Sequence, residues 1–324
     1  MTSGTDRDFA SPNPSLDIYK RASTARILDL GFWGLTLCLA VGSGATLLWI
    51  ILQTAITATP AMQNFGLGFL FSTTWDPVND VYGVLPQIYG TLVTTIIALV
   101  IAVPLGIGTA VFLTEDFVPQ YIRTPISFAI ELIVAIPSVV LGIWGIFVLV
   151  PALRPVFRLI HNVLGWIPIF GGETPRGNNV LLVGVVLAVM ITPIIASLTR
   201  STFEVLPSEL RQGSLALGAT RWETIIRVMI PAGLSGIISS VMLAMGRALG
   251  ETMVAAMLIG NANRINVSIL QPGSTITSLI ASKFGEAGRD QVAALMYAGV
   301  VLMILSLLVN VFAELIIRRY QNIE

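Results

Sequence analysis

Six long apolar runs, separated by short polar connections, set the pattern of the chain. They lie at about 29–55, 86–113, 126–150, 179–199, 233–260 and 292–316. Each is close to the roughly 20 residues that a helix needs to cross hydrocarbon. Inside a bilayer every backbone N–H and C=O must find a partner within the protein, so runs of this length predict helices rather than barrel strands. The expected fold is an all-α integral membrane protein with six spans. Pro104, Pro137 and Pro193 fall within spans and predict kinks or locally unwound turns.

The polar stretches divide the rest. Residues 1–28 read as a flexible N-terminal tail, followed by one six-span domain over 29–324. No short apolar core with a small-residue cleavage site precedes the first span, so a removed leader is not expected. Residues 56–85 form an outer loop without Lys or Arg, carrying Phe65, Phe69, Phe71, Trp75 and Tyr82 among glycines, which suits an ordered cap at the interface. The connection 200–232 is different in kind. Its stretch PSELRQGSLALGATRWETIIRVMIP predicts a short helix capped by Ser208, a left-handed turn at Gly218, and a second helix opened by Thr220 with Glu223 three residues on. Pro231 then stops or kinks the ladder. A chain that only crosses a bilayer has no need of so structured a loop, so a docking partner is expected there.

Composition fits this pattern. Of 324 residues, 55% are hydrophobic and 11% charged, against about 25% charged in soluble domains. Net charge is zero, so distribution matters more than total. With the N-terminus inside, the cytoplasmic side holds Arg7, Lys20, Arg21, Arg26, Arg123, Arg200, Arg211, Arg221, Arg227, Arg318 and Arg319. The other side holds Arg154, Arg158, Arg176, Arg264, Lys283 and Arg289, and Arg247 lies within the fifth run. This asymmetry predicts both termini and the 200–232 loop to be cytoplasmic.

Few residues are candidates for chemistry. Cys38 is the single cysteine, which excludes an intrachain disulfide or a cysteine metal cluster. His161 has no ligand-spaced acid and reads as a non-catalytic outer-loop residue. Neither Lys20 nor Lys283 follows a glycine-rich turn, so no P-loop is expected. In the fifth run, Arg247 and Glu251 stand four apart, one helical turn on one face, beside the Gly246 and Gly250 pair. A lone arginine at mid-bilayer costs at least about 2.5 kcal/mol on insertion scales. Two readings stay open and are compatible: an ion pair locking two helices, or a charged element of a substrate path where an arginine attracts an oxyanion. Glu131 and Glu314 lie near span ends and read as interfacial.

The 200–232 loop resembles the permease subunits of ABC importers. Their signature is EAA, three residues, glycine, nine residues, then I-x-L-P. Here Gly218 is followed at the same spacing by Val228, Met229, Ile230 and Pro231, while Gln212, Gly213 and Ser214 occupy the EAA positions. Within importers the chain is similar to phosphate-uptake (Pst) permeases. The stretches that carry this are YGVLPQIYGTLVTTIIALVIAVPLGIGTAVFLTE, AIPSVVLGIWG, EVLPSELRQGSLALGATRWETIIRVMIPAGLSGI, GRALGETM and QPGSTITSLIASKFGEA. The outer loop with Trp75-Asp76-Pro77 resembles the PstC type more than the PstA type.

That resemblance implies a type I, MetI-like bundle in the bacterial inner membrane. Leu217, Gly218, Ala219 and Thr220 would form the knob of a coupling helix, with Trp222 and Glu223 beside it. It implies a PstA-like second permease as heterodimer, two copies of a PstB-like ATPase, and an extracytoplasmic PstS-like phosphate-binding protein. ATP and Mg would be used by the partner ATPase, with no cofactor on this chain and no nucleic acid among its partners. Alternatives are a permease for molybdate or sulfate, an ion-coupled secondary transporter, which would carry several buried acids and inverted repeats, and a purely structural membrane subunit.

Overall fold

Why the apolar runs become the helices they do is visible in a computed structural model. It describes the backbone of residues 14–115, 119–175 and 177–321, and side chains between 29 and 315 within those limits. Residues 1–13 of the expected tail lie outside the described residues. The first helix, α1 (Pro14–Phe65), already begins at Pro14, so the later part of that tail is helical. Proline suits a first helical position, where its missing N–H has no intrahelical partner to lose.

The chain forms two compact units, residues 1–53 and 54–324. Over its part of α1 the first unit exposes Phe32, Trp33, Leu39, Leu47 and Trp49, as expected of a helix that is apolar all round.

In the second unit α1 runs on to Phe65, ten residues beyond the expected end of the first span, with Pro60 inside it. Much of the expected outer loop is therefore ordered. A short helix α2 (Gly68–Phe71) follows, then a two-stranded hairpin in which β1 (Trp75–Asp76) pairs antiparallel with β2 (Val81–Tyr82). Phe69 stacks on Tyr297 at 4.4 Å between centroids, and Tyr82 meets Phe65 and Trp75 edge-on. The aromatic loop thus builds a small core of its own with Ala58, Ala61, Ala294 and Ala298.

The central pair is α3 (Leu85–Thr114) and α7 (Val180–Val205), close to the expected second and fourth spans. They pack through small residues, with Gly106 beneath Ile195 and Gly184 beneath Ile97. Ala98 and Ala102 of α3 and Leu187 and Ile191 of α7 belong to the same, largest apolar cluster. Asn179 caps α7, its Oδ1 accepting from the Leu182 N–H at 2.7 Å.

The third span is interrupted at Pro137 as expected, but its bounds differ. The 126–150 run is split between α4 (Gln120–Ala135) and α5 (Ser138–Trp144). Pro137 forces Ile136 into an extended conformation (ψ 124°), which ends α4. Beyond α5 the helix continues through a π turn, Gly145–Leu149, into α6 (Val150–Leu164). In the π turn the Val150 N–H reaches back to Gly145 O, and Pro151 follows directly. The stretch after 150, expected as loop, is helical to Leu164, and the membrane-length helix is 138–164.

The remaining elements are α8 (Ser208–Ala216), α9 (Arg221–Thr224), a second π turn (Ile225–Met229), α10 (Ile230–Ala232), α11 (Leu234–Gly250), α12 (Met253–Leu258), α13 (Ile276–Lys283), a 3-10 turn (Phe284–Glu286) and α14 (Arg289–Gln321). The expected fifth span, 233–260, is interrupted after Gly250. Among the described residues five helices are long and apolar enough to cross a membrane, six if Arg221–Ala232 and Leu234–Gly250, bent by 70°, count as one broken span.

Candidate functional site

Two regions hold the residues singled out in the sequence. At the first, α8 ends in a paired-bond glycine turn. Gly218 adopts φ +85°, its N–H donates to Leu215 O at 3.0 Å, and the Ala219 N–H donates to Ser214 O at 3.2 Å. Thr220 then opens α9 with the expected capping box. Its N–H and hydroxyl both donate to Glu223 Oε2 at 2.8 Å, and the Glu223 N–H donates to Thr220 Oγ1 at 3.3 Å. Ser214 and Thr224 hydroxyls meet at 3.0 Å, tying the two helices together. Ser208 does not cap α8. Pro207 occupies the cap position, and no side chain caps that end.

The turn thus satisfies its own polar groups while leaving apolar surface bare. Leu217 is 90% exposed and Trp222 61%. Beneath it, Ile225 and Met229 pack with Ala110, Val111, Phe203 and Ile237. Glu115, at the end of α3, accepts from Arg211 of α8 at 2.8 Å. Leu217, Gly218, Ala219, Thr220, Trp222 and Glu223 all lie on this one projection.

The second region corrects an expectation. Arg247 and Glu251 do not form an ion pair. The helix ends at Gly250, and Glu251 is extended (φ −69°, ψ 121°), so the pair no longer shares a helical face. Its Oε1 instead accepts from the Met253 and Val254 N–H groups at 3.2 and 3.4 Å, capping α12. Arg247 lies exposed on α11, and among the described residues nothing beyond the local backbone lies within 4 Å of where a Cβ would stand on Gly246 or Gly250.

What the sequence reading missed is a belt of buried hydroxyls beside this break. The segment at 274–276, between the fifth and sixth apolar runs, folds back against α3. The Ile276 N–H donates to Thr91 Oγ1 at 3.1 Å, and Thr277 Oγ1 donates to Glu251 O at 2.8 Å. Thr275 and Ser278 form a second capping box at the start of α13, with bonds of 2.9 and 3.0 Å. Gln87, Thr91, Thr94, Thr95, Ser274, Thr275, Thr277 and Ser278 are all buried. The α3 threonines also donate back to Gln87 O, Gly90 O and Thr91 O at 2.7–2.8 Å. Gly90 makes the approach possible, since a Cβ there would overlap the Ser274 carbonyl oxygen. Threonines recurring at 91, 94 and 95 within an apolar run, and the polar STITS at 274–278, were the available signal.

The Gly218 turn and the hairpin each carry shifted groups: hydrogen bonds from the Thr220 N–H and hydroxyl hold the Glu223 carboxyl below its ordinary value. A hydrogen bond from the Asn79 side chain holds the Asp76 carboxyl below its ordinary value, with the Val78 N–H assisting. Burial, then the hydrogen bond to Asp80, pushes the Tyr82 phenol up to about 12. His161 Nδ1 lies 3.1 Å from Phe170 O, and no group of three potential metal ligands occurs among the described residues.

Residues 102–322 match the family model described as binding-protein-dependent transport system inner membrane component. The chain belongs to that family. This permease has curated relatives named phosphate transport system permease protein PstC. That of Xylella fastidiosa (strain Temecula1) is 43% identical over 268 residues, 82% of each chain. That of Haemophilus influenzae is 43% identical over 280 residues, 84% of this chain and 88% of its own. A probable PstC of Methanocaldococcus jannaschii is 35% identical over 272 residues, 82% and 86%. The PstC-type resemblance read from the motifs therefore extends along most of the permease.

Among solved structures, a bacterial alginate ABC transporter in complex with a pentasaccharide-bound periplasmic protein contains a chain with TM-score 0.59 at 17% identity, covering 87% of this permease and 94% of that chain. The MetNI methionine ABC transporter, inward facing, gives 0.51 at 21%, covering 73% and 94%. These bear on the fold alone, which is the MetI-like permease bundle. The permease is thus an inner-membrane, non-enzymatic component of an ABC importer, working with an ATPase and a substrate-binding protein.

Proposed function

We propose that this permease carries inorganic phosphate inward as half of a heterodimeric pore, driven through its Gly218 turn by a partner ATPase. The observation that carries the reading is the turn itself. It keeps every bond of its glycine cap and capping box internal yet holds Leu217 and Trp222 bare, which suits insertion into a partner's cleft. The relatives' names support phosphate as the substrate. In this reading both termini and the turn face the cytoplasm. The other half-pore is PstA-like, two PstB-like ATPase copies use ATP and Mg, and a PstS-like protein delivers phosphate outside. Closure of the ATPase dimer draws the turns together and opens the pore outward, and hydrolysis returns it inward. Arg247, exposed and without an ion-pair partner among the described residues, serves the path of the oxyanion, with Glu251 holding the break beside it.

The test is uptake of labelled phosphate by proteoliposomes containing the whole complex. Uptake should require ATP and persist in excess sulfate and molybdate. Equal competition by either anion would move the assignment to that oxyanion, and uptake without ATP would support a secondary transporter.

A further inference from the structure

We propose that the ion pair between Glu115 and Arg211 is the link through which displacement of the Gly218 turn reaches the α3 span. Both would be positioning residues for transport. The inference rests on the coupling reading above and adds the route into the membrane.

Three observations converge on this pair. First, Glu115 caps the C-terminal end of α3, its N–H donating to Val111 O at 2.9 Å. An acid there faces the negative end of the helix dipole, so its placement needs compensation. Arg211 Nη2 supplies it at 2.8 Å, and Arg123 Nη2 donates to the Glu115 carbonyl oxygen at 2.8 Å. The Glu115 side chain is only 12% exposed. One residue thereby joins α3, α4 and α8.

Second, α8 has little else holding it to the spans. It packs chiefly on α9 and the following π turn. Among the described residues its one side-chain polar bond to a span is Arg211 to Glu115. A cleft of about 290 Å³, lined by Leu113, Thr114, Arg123, Leu206, Ser208 and Arg211 among others, opens beside the pair. Ile225 and Met229 also pack with Ala110 and Val111, but from the π turn rather than from α8. The ion pair is directional and sits where a rigid helix can be pulled.

Third, α3 connects the two candidate regions. Its 30 residues span about 45 Å at 1.5 Å per residue. Its far end carries Gly90 and Thr91, against which the 274–278 segment is seated. Force applied at Glu115 is delivered to that belt by an element already packed as one piece. Arg211 Nε is buried without a hydrogen-bond partner among the described residues, an uncompensated group that argues against a purely stabilising role.

The test uses the full reconstituted complex and four variants: Arg211→Ala, Glu115→Gln, the double variant of the two, and Arg211→Lys. Complex yield, ATP hydrolysis and labelled phosphate imported per ATP are measured separately. Each single removal should leave yield and hydrolysis near normal and lower phosphate per ATP at least fivefold. The double variant should be no worse than either single, and Arg211→Lys should retain most coupling. Unchanged phosphate per ATP in Arg211→Ala overturns the proposal. So do losses that multiply in the double variant, and so does failure of the single variants to assemble, which would make the pair structural. Gly218→Asp serves as the control. If it couples normally, the docking reading fails; if it uncouples while Arg211→Ala does not, only the ion-pair route fails.

Discussion

The Gly218 turn and the Gly250 break both end a helix at a glycine, but they treat polar and apolar groups in opposite ways. At Gly218 the chain doubles back in the open, its hydrogen bonds closed locally and its leucine and tryptophan left bare. At Gly250 the following chain turns inward. There Glu251 caps α12, while buried threonines and serines bond to segments distant in sequence. The contrast teaches that helix interruptions in a membrane bundle serve different ends according to where their polar groups find partners. Locally satisfied groups free a surface for another protein, whereas groups satisfied across the fold bind the bundle together, with Arg247 left exposed beside them.

Substitutions that test each side of this contrast rank by expected effect. The largest belongs to Gly90→Val, because its Cβ meets the backbone of Ser274, which cannot rotate away. Overpacking of this sort costs about 1–3 kcal/mol or more. Thermal unfolding in detergent should show a lower midpoint and a smaller yield, and a wild-type melting curve would contradict the seating of 274–278 on α3. Gly218→Asp comes next. With φ at +85°, a side chain strains the turn and carries charge into the partner's cleft. The protein should insert normally while ATP-driven uptake falls at least tenfold; co-purification with the ATPase and normal uptake would refute the docking assignment. Arg247→Gln should lower phosphate uptake several-fold at unchanged complex yield, and unaltered kinetics would return Arg247 to a packing role. The smallest effect is expected for Thr220→Ala, which removes one N-cap worth about 1 kcal/mol. Amide exchange at Glu223 should quicken roughly fivefold with transport largely retained, whereas a large uptake defect would mean that the hydroxyl itself touches the partner.

Local signals in the sequence proved legible, and long-range ones did not. Thr220 and Glu223 stand three apart, and their capping box is present as expected. Gly218 needed only its own φ to end α8. The helices at 85–114 and 180–205 follow from continuous apolarity. Pro137 marked its own break in advance, whereas the same continuity concealed the break after Gly250, because hydropathy does not register a change of direction. Arg247 and Glu251 illustrate the limit: spacing of four means a shared face only if the helix continues, and Glu251 found better partners in the N–H groups of α12. The hydroxyl belt and the Glu115–Arg211 pair join residues far apart in the chain, where no periodicity could bring them together.

The two π turns carry a further consequence, for the length of the chain. Each holds one residue more than an α-helix would use for the same turn, and each is followed by a proline, Pro151 or Pro231. A chain one residue shorter at 145–149 or 225–229 could close into regular α-helix and keep the flanking faces aimed as they are. The same deletion two turns away would swing every following side chain by about 100° around the axis. These turns are therefore the points along their helices where the count of residues can change while the geometry does not.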